Sequence, residues 1–279
     1  MLAQKAGTQA YQEDSHGGNL RQIGFRSNSD GSQIVVVLVT KSSKLPFTQL
    51  LVKHLNTEFP QITGIVQNIQ RRRTNVILGD EDKLLFGKPW ITEDIRGLKF
   101  QVHYKSFLQV NSGTMDLIGK RLALILGSGK RVIDAYSGIG SIGLGLAAAC
   151  KQLTLIEENP QAVEDARLNA EANKITNVSF YTGRTEIELG KLAHVRSGDK
   201  ARFESIIVDP PRAGLDPEVI KAIAQANLNQ VIYLSCNPMT LARDIKLLSA
   251  KGYQVKSLQP FDMFPQTWHI ETLVELVKE

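Results

Sequence analysis

The stretch RVIDAYSGIGSIGLGLAAAC, residues 131–150, is typical of an α/β fold because it places a glycine-bearing turn directly after an apolar strand. The strand ends at Asp134, the turn carries Gly138 and Gly140, and the pattern predicts a helix from about Ser141. Glycine lets the backbone approach a ligand closely, and open α/β sheets bind ligands at the carboxyl ends of their strands. This stretch therefore predicts a cofactor site.

Three spacings bear on which cofactor such a turn could hold. The sequence G-I-G-S-I-G from Gly138 satisfies the G-x-G-x-x-G pattern of nicotinamide dinucleotide sites. Glu157 ends the next strand, 23 residues after Asp134, where a carboxylate can accept hydrogen bonds from ribose hydroxyls. Asp134 stands four residues before Gly138, in the D-x-x-x-G-x-G order seen in methyltransferases that use S-adenosylmethionine (SAM). This order favours SAM over NAD.

The pattern of apolar runs divides the chain near residue 105. After that point apolar strands alternate with helical segments, beginning with a helix at about 113–126, which predicts an α/β fold with a mostly parallel sheet. Before it, turn residues separate short strand-like runs, with one helix at about 46–58. The predicted strands there are LRQIGFRS, SQIVVVLVT, ITGIVQNIQ, NVILG and LKFQVHY. We therefore predict a strand-rich α+β domain over residues 1–105 and a larger domain over residues 106–279.

Composition limits the partners and the compartment. The 279 residues carry a formal charge of +5, which allows a polyanionic partner, and the cluster Arg71 to Arg73 supports one weakly. No apolar run approaches the roughly 18 residues of a membrane span, and no secretory pattern follows Met1. Two cysteines cannot supply a four-thiolate metal site. We expect a cytoplasmic protein without a membrane segment or a metal.

Two further turns carry reactive side chains. In FESIIVDPPRAGLD, Asp209 ends a strand and the following proline holds it in extended backbone. In QVIYLSCNPMTLARDI, Cys236 precedes a helix that Asn237 caps, and a helix N-terminus lowers the pKa of a thiol. The alternative is that the cysteine is a small buried apolar residue, and we prefer this interpretation for Cys150.

The last motif is PFDMFPQTWHIETLVEL. Its alternation predicts a final strand with Trp268, Ile270, Thr272 and Val274 on one face, and His269 and Glu271 on the other. On periodicity alone, Glu271 is a solvated side chain.

Taken together, these motifs resemble the uracil-5-methyltransferase family of RNA-modifying enzymes. The matching segments are SFLQVN (106–111), DAYSGIGSIG (134–143), DPPRAGLD (209–216), SCNP (235–238) and FPQTWHIE (264–271). The resemblance implies a Rossmann-like SAM-dependent methyltransferase domain with a seven-stranded, mostly parallel sheet. It also implies methylation of carbon 5 of a uridine that is single-stranded or flipped, with ribosomal RNA preferred to transfer RNA. Oligomeric state is left open.

The resemblance also implies a role for each matching residue. Cys236 would add to carbon 6 of the base, Glu271 would remove the carbon 5 proton, and Asp209 would hydrogen-bond the base or the cofactor amine. Gln109 would border both ligands and Phe107 would contact the substrate. The positions expected to contact SAM are Tyr136, Ser141 and Glu157, with Glu157 on the ribose and Arg184 near the adenine.

Family members commonly carry an N-terminal RNA-binding barrel, and one branch holds an iron-sulfur cluster on four cysteines. We expect neither in this chain, whether it is a natural short form or a truncated product, and this puts its RNA affinity in question more than its chemistry. Two alternatives remain: an amino-directed nucleic-acid methyltransferase, which DPP also resembles, and a non-catalytic RNA-binding or assembly factor. Retention of Asp209, Cys236 and Glu271 together argues against the second.

Overall fold

A computed structural model describes residues 8–46, 48–194 and 203–279. The chain forms two compact units. The first runs up to Glu93 and also includes Gln101–Lys105, and the second comprises Asp94–Phe100 and Ser106–Glu279. A single division at residue 105 therefore misplaces residues 94–100, which are the tip of a two-stranded hairpin formed by β5 (Trp90–Ile95) and β6 (Leu98–His103).

The first unit is built on a four-stranded sheet in the order β1-β2-β3-β4. The strands β1 and β2 are antiparallel, β2 and β3 are parallel, and β3 and β4 are antiparallel. Helix α1 makes the crossover between the two parallel strands, and its Leu51 and Leu55 pack on Val36 and Ile65 of the sheet. The elements are β1 (Leu20–Ser27), β2 (Ile34–Thr40), α1 (Thr48–Glu58), β3 (Ile62–Ile69) and β4 (Glu81–Gly87).

The predicted strand NVILG is wrong. Residues 75–79 form an irregular segment, and the fourth strand follows it at Glu81–Gly87. The Gln70 side chain donates to the carbonyls of Val76 and Leu78, so these groups bond a side chain rather than a neighbouring strand. Because Val76 and Ile77 are exposed, the apolar run does not mark a buried strand here.

The second unit contains a seven-stranded sheet in the order β12-β13-β11-β10-β7-β8-β9. Five neighbouring strands are parallel, and β13 runs antiparallel to both of its neighbours. The strands are β7 (Lys130–Ala135), β8 (Cys150–Glu157), β9 (Val178–Thr182), β10 (Ser205–Val208), β11 (Gln230–Ser235), β12 (Tyr253–Phe261) and β13 (Glu271–Lys278). The predicted α/β class and mostly parallel sheet are confirmed.

The core of this unit lies between the central strands and the helices that cross over them. Every residue of β10 and β11 is buried, as expected for parallel strands that helices cover on both faces. Val208, Val231 and Tyr233 from these strands pack in one cluster with Val219 and Ile223 of a crossover helix. The helices are α2 (Ser112–Leu126), α3 (Pro160–Ala172), α4 (Thr185–His194), α5 (Pro217–Ala226) and α6 (Pro238–Ser249).

The helix predicted from Ser141 is shorter and tighter than expected. Residues 141–143 form turns, and a 3-10 helix follows at Leu144–Ala149. This segment is closely packed, because a Cβ at Gly143 would lie 2.5 Å from an oxygen of Asp134 and one at Gly145 would lie 2.1 Å from the Arg96 guanidinium. Across the described part of the chain, no helix is long and apolar enough to cross a membrane.

Candidate active site at the ends of the central strands

The predicted catalytic residues lie at one edge of the large sheet. Asp209 directly follows β10 and Cys236 directly follows β11, and these two strands are parallel neighbours. Strand β13 runs the other way and begins at Glu271. Ser235 lies opposite Thr272 in the β11–β13 pair, so the chain leaves β11 at Cys236 where Glu271 enters β13. The fold therefore brings these three side chains to the same end of adjacent strands.

Cys236 is half-buried at the start of α6. The Asn237 side chain caps the helix by accepting a hydrogen bond from the Met239 amide, at 3.1 Å. The side-chain nitrogen of Asn237 also donates to the carbonyl of Arg212, at 3.0 Å, and the Thr240 hydroxyl donates to the same carbonyl at 3.3 Å. These bonds fix the cysteine turn against the turn that follows Asp209.

The expected lowering of the Cys236 pKa is wrong for the free protein. Burial raises the pKa of this thiol, and the nearby charges of Glu271 and Asp209 raise it further. Arg212 and a backbone N–H act in the opposite direction without cancelling these effects. Sequence reasoning weighed the helix N-terminus but not the two carboxyls that the fold places beside the thiol.

Glu271 is buried, with 2% of its surface exposed. Its Oε2 atom has no hydrogen-bond partner among the described residues, which is costly for a buried polar atom unless a ligand completes it. Burial raises the pKa of Glu271 to about 7, although Arg212 opposes the shift. A carboxyl with this pKa can exchange a proton near neutral pH, as a general base must. The alternative of a solvated side chain is wrong.

Asp209 and Asp134 are the other perturbed carboxyls of this edge. Burial, followed by the charges of Glu271 and Asp134, raises the pKa of Asp209 to about 8. Burial likewise raises the pKa of Asp134 to about 7, although the amide of Gly143 donates to its Oδ2 atom at 3.0 Å. Carboxyls with strongly raised pKa values in one place are typical of functional sites.

Arg212 is a component of the site that the sequence analysis did not single out. It is exposed, and its charge lowers the pKa values of both Cys236 and Glu271. The signal was present in DPPRAGLD, where Arg212 follows Asp209 by three residues. Its importance depends on the contact between this turn and α6, which sequence spacing does not reveal.

The predicted cofactor residues gather around the glycine turn. The amide of Gly138 donates to Oε2 of Glu157 at 2.9 Å, and the Asn159 amide donates to Oε1 at 2.9 Å. A Cβ added at Gly138 would have no described atom within 4 Å, so the backbone there borders open space beside the Glu157 carboxylate. Tyr136, which directly follows β7, has a positive φ of 60°. A ribose-bearing ligand fits this combination of an approachable backbone and a carboxylate.

Tyr136 and Ser141 belong to the segment that forms this turn, and Arg184 follows β9, which runs parallel to β8. The Ser141 carbonyl accepts a hydrogen bond from Arg96 at 3.1 Å. Burial, and then the charge of Glu186, raises the pKa of Tyr136 to about 12. Arg184 is exposed and forms an ion pair with Glu186 at 2.6 Å. Glu186 is thus near both residues, since its charge also raises the pKa of Tyr136.

Gln109 and Phe107 lie in the loop that precedes α2, at residues 106–111. The loop is fixed at both ends, since the Ser106 hydroxyl donates to Asp165 at 2.7 Å and the Asn111 side chain donates to the Met263 carbonyl at 3.1 Å. Gln109 is half-buried, whereas Phe107 is 75% exposed. The Asn111 bond ties this loop to the segment that leads into Glu271.

The two cysteines differ in environment. Cys150 is buried in β8, donates to the Leu146 carbonyl at 3.3 Å, and has a pKa raised to about 11 by burial, whereas Cys236 is half-buried.

Within the described ranges, no cluster of three His, Cys, Asp or Glu residues could hold a metal ion.

Comparison with known proteins gives the chain a family. The family model described as tRNA (uracil-5-)-methyltransferase matches residues 32–279. The chain belongs to this family. The resemblance stated from the motifs is therefore confirmed, and the matched range includes every candidate site residue.

Relatives and a solved structure of the family support the assignment. An uncharacterized RNA methyltransferase of Oceanobacillus iheyensis is 43% identical over 277 residues, which are 99% of this chain and 60% of that protein. One of Halalkalibacterium halodurans is 39% identical over 278 residues, with the same coverages of 99% and 60%. The chain thus spans about 60% of the length of these relatives.

The crystal structure of the Pyrococcus abyssi tRNA (uracil-54, C5)-methyltransferase in complex with S-adenosyl-L-homocysteine matches with a TM-score of 0.81. It is 28% identical, and the match covers 98% of this chain and 64% of that one. The Rossmann-like methyltransferase fold that the resemblance implied is confirmed.

Proposed function

We propose that this protein transfers a methyl group from SAM to carbon 5 of a uridine in RNA, through a covalent adduct with Cys236. The observation that carries the proposal is the β11–β13 pairing of Ser235 with Thr272. It brings a cysteine to the same edge of the sheet as a buried carboxyl whose Oε2 atom has no hydrogen-bond partner among the described residues. Family membership supports the same chemistry.

The chemistry explains why a thiol and a carboxylate are needed together. Carbon 5 of uracil is a poor nucleophile until the Cys236 thiolate adds to carbon 6 and moves the ring double-bond electrons toward carbon 5 and the O4 oxygen. SAM, when bound, supplies the methyl group that carbon 5 receives. Glu271 then accepts the carbon 5 proton, and the freed electron pair re-forms the ring double bond while Cys236 leaves as a thiolate.

The raised pKa values give this cycle a pH dependence. Glu271 must be ionised to accept the proton, and its pKa of about 7 places that requirement near neutrality. Cys236 must lose its proton before attack, and its pKa is also raised. Arg212 favours the ionised form of both groups. We therefore expect methylation to increase as the pH rises through 7.

The residues that we propose to hold SAM are those around the glycine turn. Glu157 accepts hydrogen bonds from the ribose, and Tyr136, Ser141 and Gln109 line the cofactor site. Asp209, with its pKa of about 8, is protonated at neutral pH and can donate a hydrogen bond to the base or accept one from the cofactor amine. Phe107 and Gln109 contact the uridine.

The proposed substrate is a single-stranded or flipped uridine, because a stacked base cannot reach Cys236. We propose that the first unit contacts RNA, although two members of its arginine cluster are already paired. Arg71 lies 2.5 Å from Glu81, and Arg72 pairs with Asp80. Ribosomal RNA is the predicted substrate, while the matched family model and the similar structure are named for transfer RNA. Ribosomal RNA and transfer RNA must therefore both be tested as substrates.

The test is methyl transfer from labelled SAM to unmodified ribosomal and transfer RNA, followed by nucleoside analysis. The proposal predicts 5-methyluridine with the wild type and with Cys150→Ala, and none with Cys236→Ala. Methylated adenine or guanine formed equally by Cys236→Ala would establish the amino-directed alternative. RNA binding without any methylated product would establish the non-catalytic one.

A further inference from the structure

Trp268 is the most exposed large apolar side chain in the described part of the chain, at 89%. The sequence predicted this residue on the apolar face of the last strand, but β13 begins three residues later, at Glu271. Tryptophan normally buries its ring, which covers a large apolar area. A ring left in solvent beside a proposed general base needs a separate explanation.

The turn that presents Trp268 is ordered by its own hydrogen bonds. The Thr267 amide and hydroxyl both donate to the Phe264 carbonyl, at 3.1 Å and 2.8 Å, and the His269 amide donates to the Thr267 hydroxyl at 3.2 Å. The rings of Phe264 and His269 pack edge to face, with centroids 6.1 Å apart. The Trp268 ring lies 5.6 Å from that of His269. One side of the indole is thus supported and the rest is open.

Other exposed apolar side chains lie on the segments that carry the proposed site. Phe107 and Val110, 75% and 80% exposed, flank Gln109, and Met239, 81% exposed, follows Cys236 by three residues. The Asn111 side chain bonds the Met263 carbonyl, so the Phe107 loop and the Trp268 turn are connected. Because the Trp268 turn is bonded to this loop and leads into Glu271, we take it to lie at the entrance of the proposed site.

The chemistry of this entrance selects a nucleobase as the ligand. A planar ring flanked by the exposed polar residues Gln266 and Thr267 does not by itself form the broad apolar patch of a protein interface. Single-stranded RNA, by contrast, is bound through bases stacked on individual aromatic side chains. The positive net charge of the chain suits the phosphates that accompany those bases.

We propose that the indole of Trp268 stacks on the nucleobase adjacent to the target uridine in RNA. The inference rests on the proposed function, because it takes the uridine to be bound at Cys236. A uridine that enters the site leaves its neighbour without a stacking partner on one side. The exposed indole replaces that partner, so Trp268 holds the flanking nucleotide while the uridine stays in the site.

Fluorescence tests this contact without catalysis. The chain has two tryptophans, so Trp90→Phe combined with Cys236→Ala leaves Trp268 as the sole tryptophan, which can be excited selectively over tyrosine, in a protein that should not turn over. A short single-stranded RNA with one central uridine should quench this fluorescence, because a stacked base quenches indole. The same RNA with abasic sites on both sides of the uridine should not. Equal quenching by both RNAs, at saturation shown by anisotropy of labelled RNA, would overturn the proposal.

Affinity gives a second measurement with an aromatic rescue. Trp268→Ala should raise the Kd for the intact RNA roughly 5- to 150-fold, which corresponds to about 1–3 kcal/mol per stacked base, and should leave the Kd for the abasic RNA unchanged. Trp268→Phe should recover most of the loss. Leu258→Ala, which removes a 56% exposed apolar side chain from β12, is the matched control and should change neither value. An equal loss for both RNAs would mean that Trp268 has a different role.

These outcomes separate the inference from the proposed function. Covalent trapping of 5-fluorouridine RNA by Cys236 reports on the reaction, whereas quenching and the Kd difference report on stacking. Trapping without a Trp268 effect would refute the inference alone. A Trp268 effect without trapping would refute the reaction and keep the contact with RNA.

Discussion

Ser235 of β11 lies opposite Thr272 of β13, and this antiparallel pair sets the positions of the two residues that follow and precede it, Cys236 and Glu271. The two are 35 residues apart in sequence, separated by α6 and β12. Because β13 runs against its neighbours, its first residue meets the carboxyl ends of the parallel strands. The proposed nucleophile and the proposed base thus lie at the same end of adjacent strands.

Replacing Glu271 by glutamine should separate the first half of the reaction from the second. Glutamine keeps the shape of the side chain but cannot accept the carbon 5 proton, so the methylated adduct should accumulate. Denaturing gel electrophoresis with labelled RNA should show a slow-migrating Glu271→Gln species that is scarce in the wild type. The double variant Cys236→Ala, Glu271→Gln should show none. A Glu271→Gln protein that turns over at the wild-type rate would contradict the role of Glu271.

Replacing Arg212 by glutamine should move the pH–rate profile to higher pH. Arg212 lowers the pKa values of Glu271 and Cys236, so its loss raises both, and both groups act in their ionised forms. Activity at pH 6.5 should fall several-fold, with recovery near pH 9. The hydrogen bonds from Asn237 and Thr240 reach the Arg212 carbonyl, so the substitution keeps them. Lys221→Gln, an exposed charge loss on α5, is the control, and an identical profile for both variants would refute the electrostatic role.

The buried carboxyls should make the protein less stable as the pH rises. The folded-state pKa of Asp209 is about 8 and that of Glu271 about 7, both above the value near 4 of an unfolded chain. Each group therefore binds its proton more tightly when folded, and the stability it gives below about pH 4 is lost as the pH rises through the folded pKa. At about 1.4 kcal/mol per pKa unit, the loss is on the order of 3–5 kcal/mol per group.

Asp209→Asn should accordingly flatten the dependence of stability on pH. Between pH 5 and pH 8.5, the free energy of unfolding should fall less in this variant than in the wild type, in urea titrations at each pH. Glu218→Gln, which changes an exposed carboxylate on α5, should retain the wild-type slope. The account of Asp209 fails if its removal leaves that slope unchanged.

The glycine turn predicts a contrast between two alanine substitutions. A Cβ at Gly143 would lie 2.5 Å from Oδ2 of Asp134 and 2.8 Å from Leu155, both buried, whereas one at Gly190 would have no described atom within 4 Å. Gly143→Ala should lower the free energy of unfolding by about 1–3 kcal/mol and weaken SAM binding in calorimetry. Gly190→Ala, within α4, should be neutral or stabilising by up to about 1 kcal/mol. Wild-type stability and SAM affinity in Gly143→Ala would show that the turn is not closely packed.

The parts of the site that sequence could predict are those fixed by local pattern. Asp134 is the second-last residue of β7 and Glu157 is the last of β8, both before recognisable turns, and Asn237 marks the start of α6, so their placement follows from alternation and capping. The pKa of Cys236 could not be predicted, because its direction depends on Glu271, which arrives from a strand 35 residues later. Arg212 was overlooked for the same reason.

The errors in the fold also have a common physical origin. NVILG has the composition of a strand, but the Gln70 side chain bonds its carbonyls and no neighbouring strand pairs with it in the described structure. Trp268 continues the alternation of β13 in sequence, yet the turn bonded through Thr267 holds it outside the sheet. In both places, side-chain hydrogen bonds that periodicity does not reveal are found where strand pairing is absent.

The most direct test of the central claim is covalent trapping with RNA that contains 5-fluorouridine. Once carbon 5 is methylated, the fluorine cannot leave as a proton does, so the adduct with Cys236 cannot be resolved. Incubation with SAM should give a denaturation-resistant protein–RNA complex with the wild type and Cys150→Ala, and none with Cys236→Ala. An equal yield of complex from Cys236→Ala, or none from a wild-type protein that binds SAM and methylates RNA, would contradict the cysteine mechanism.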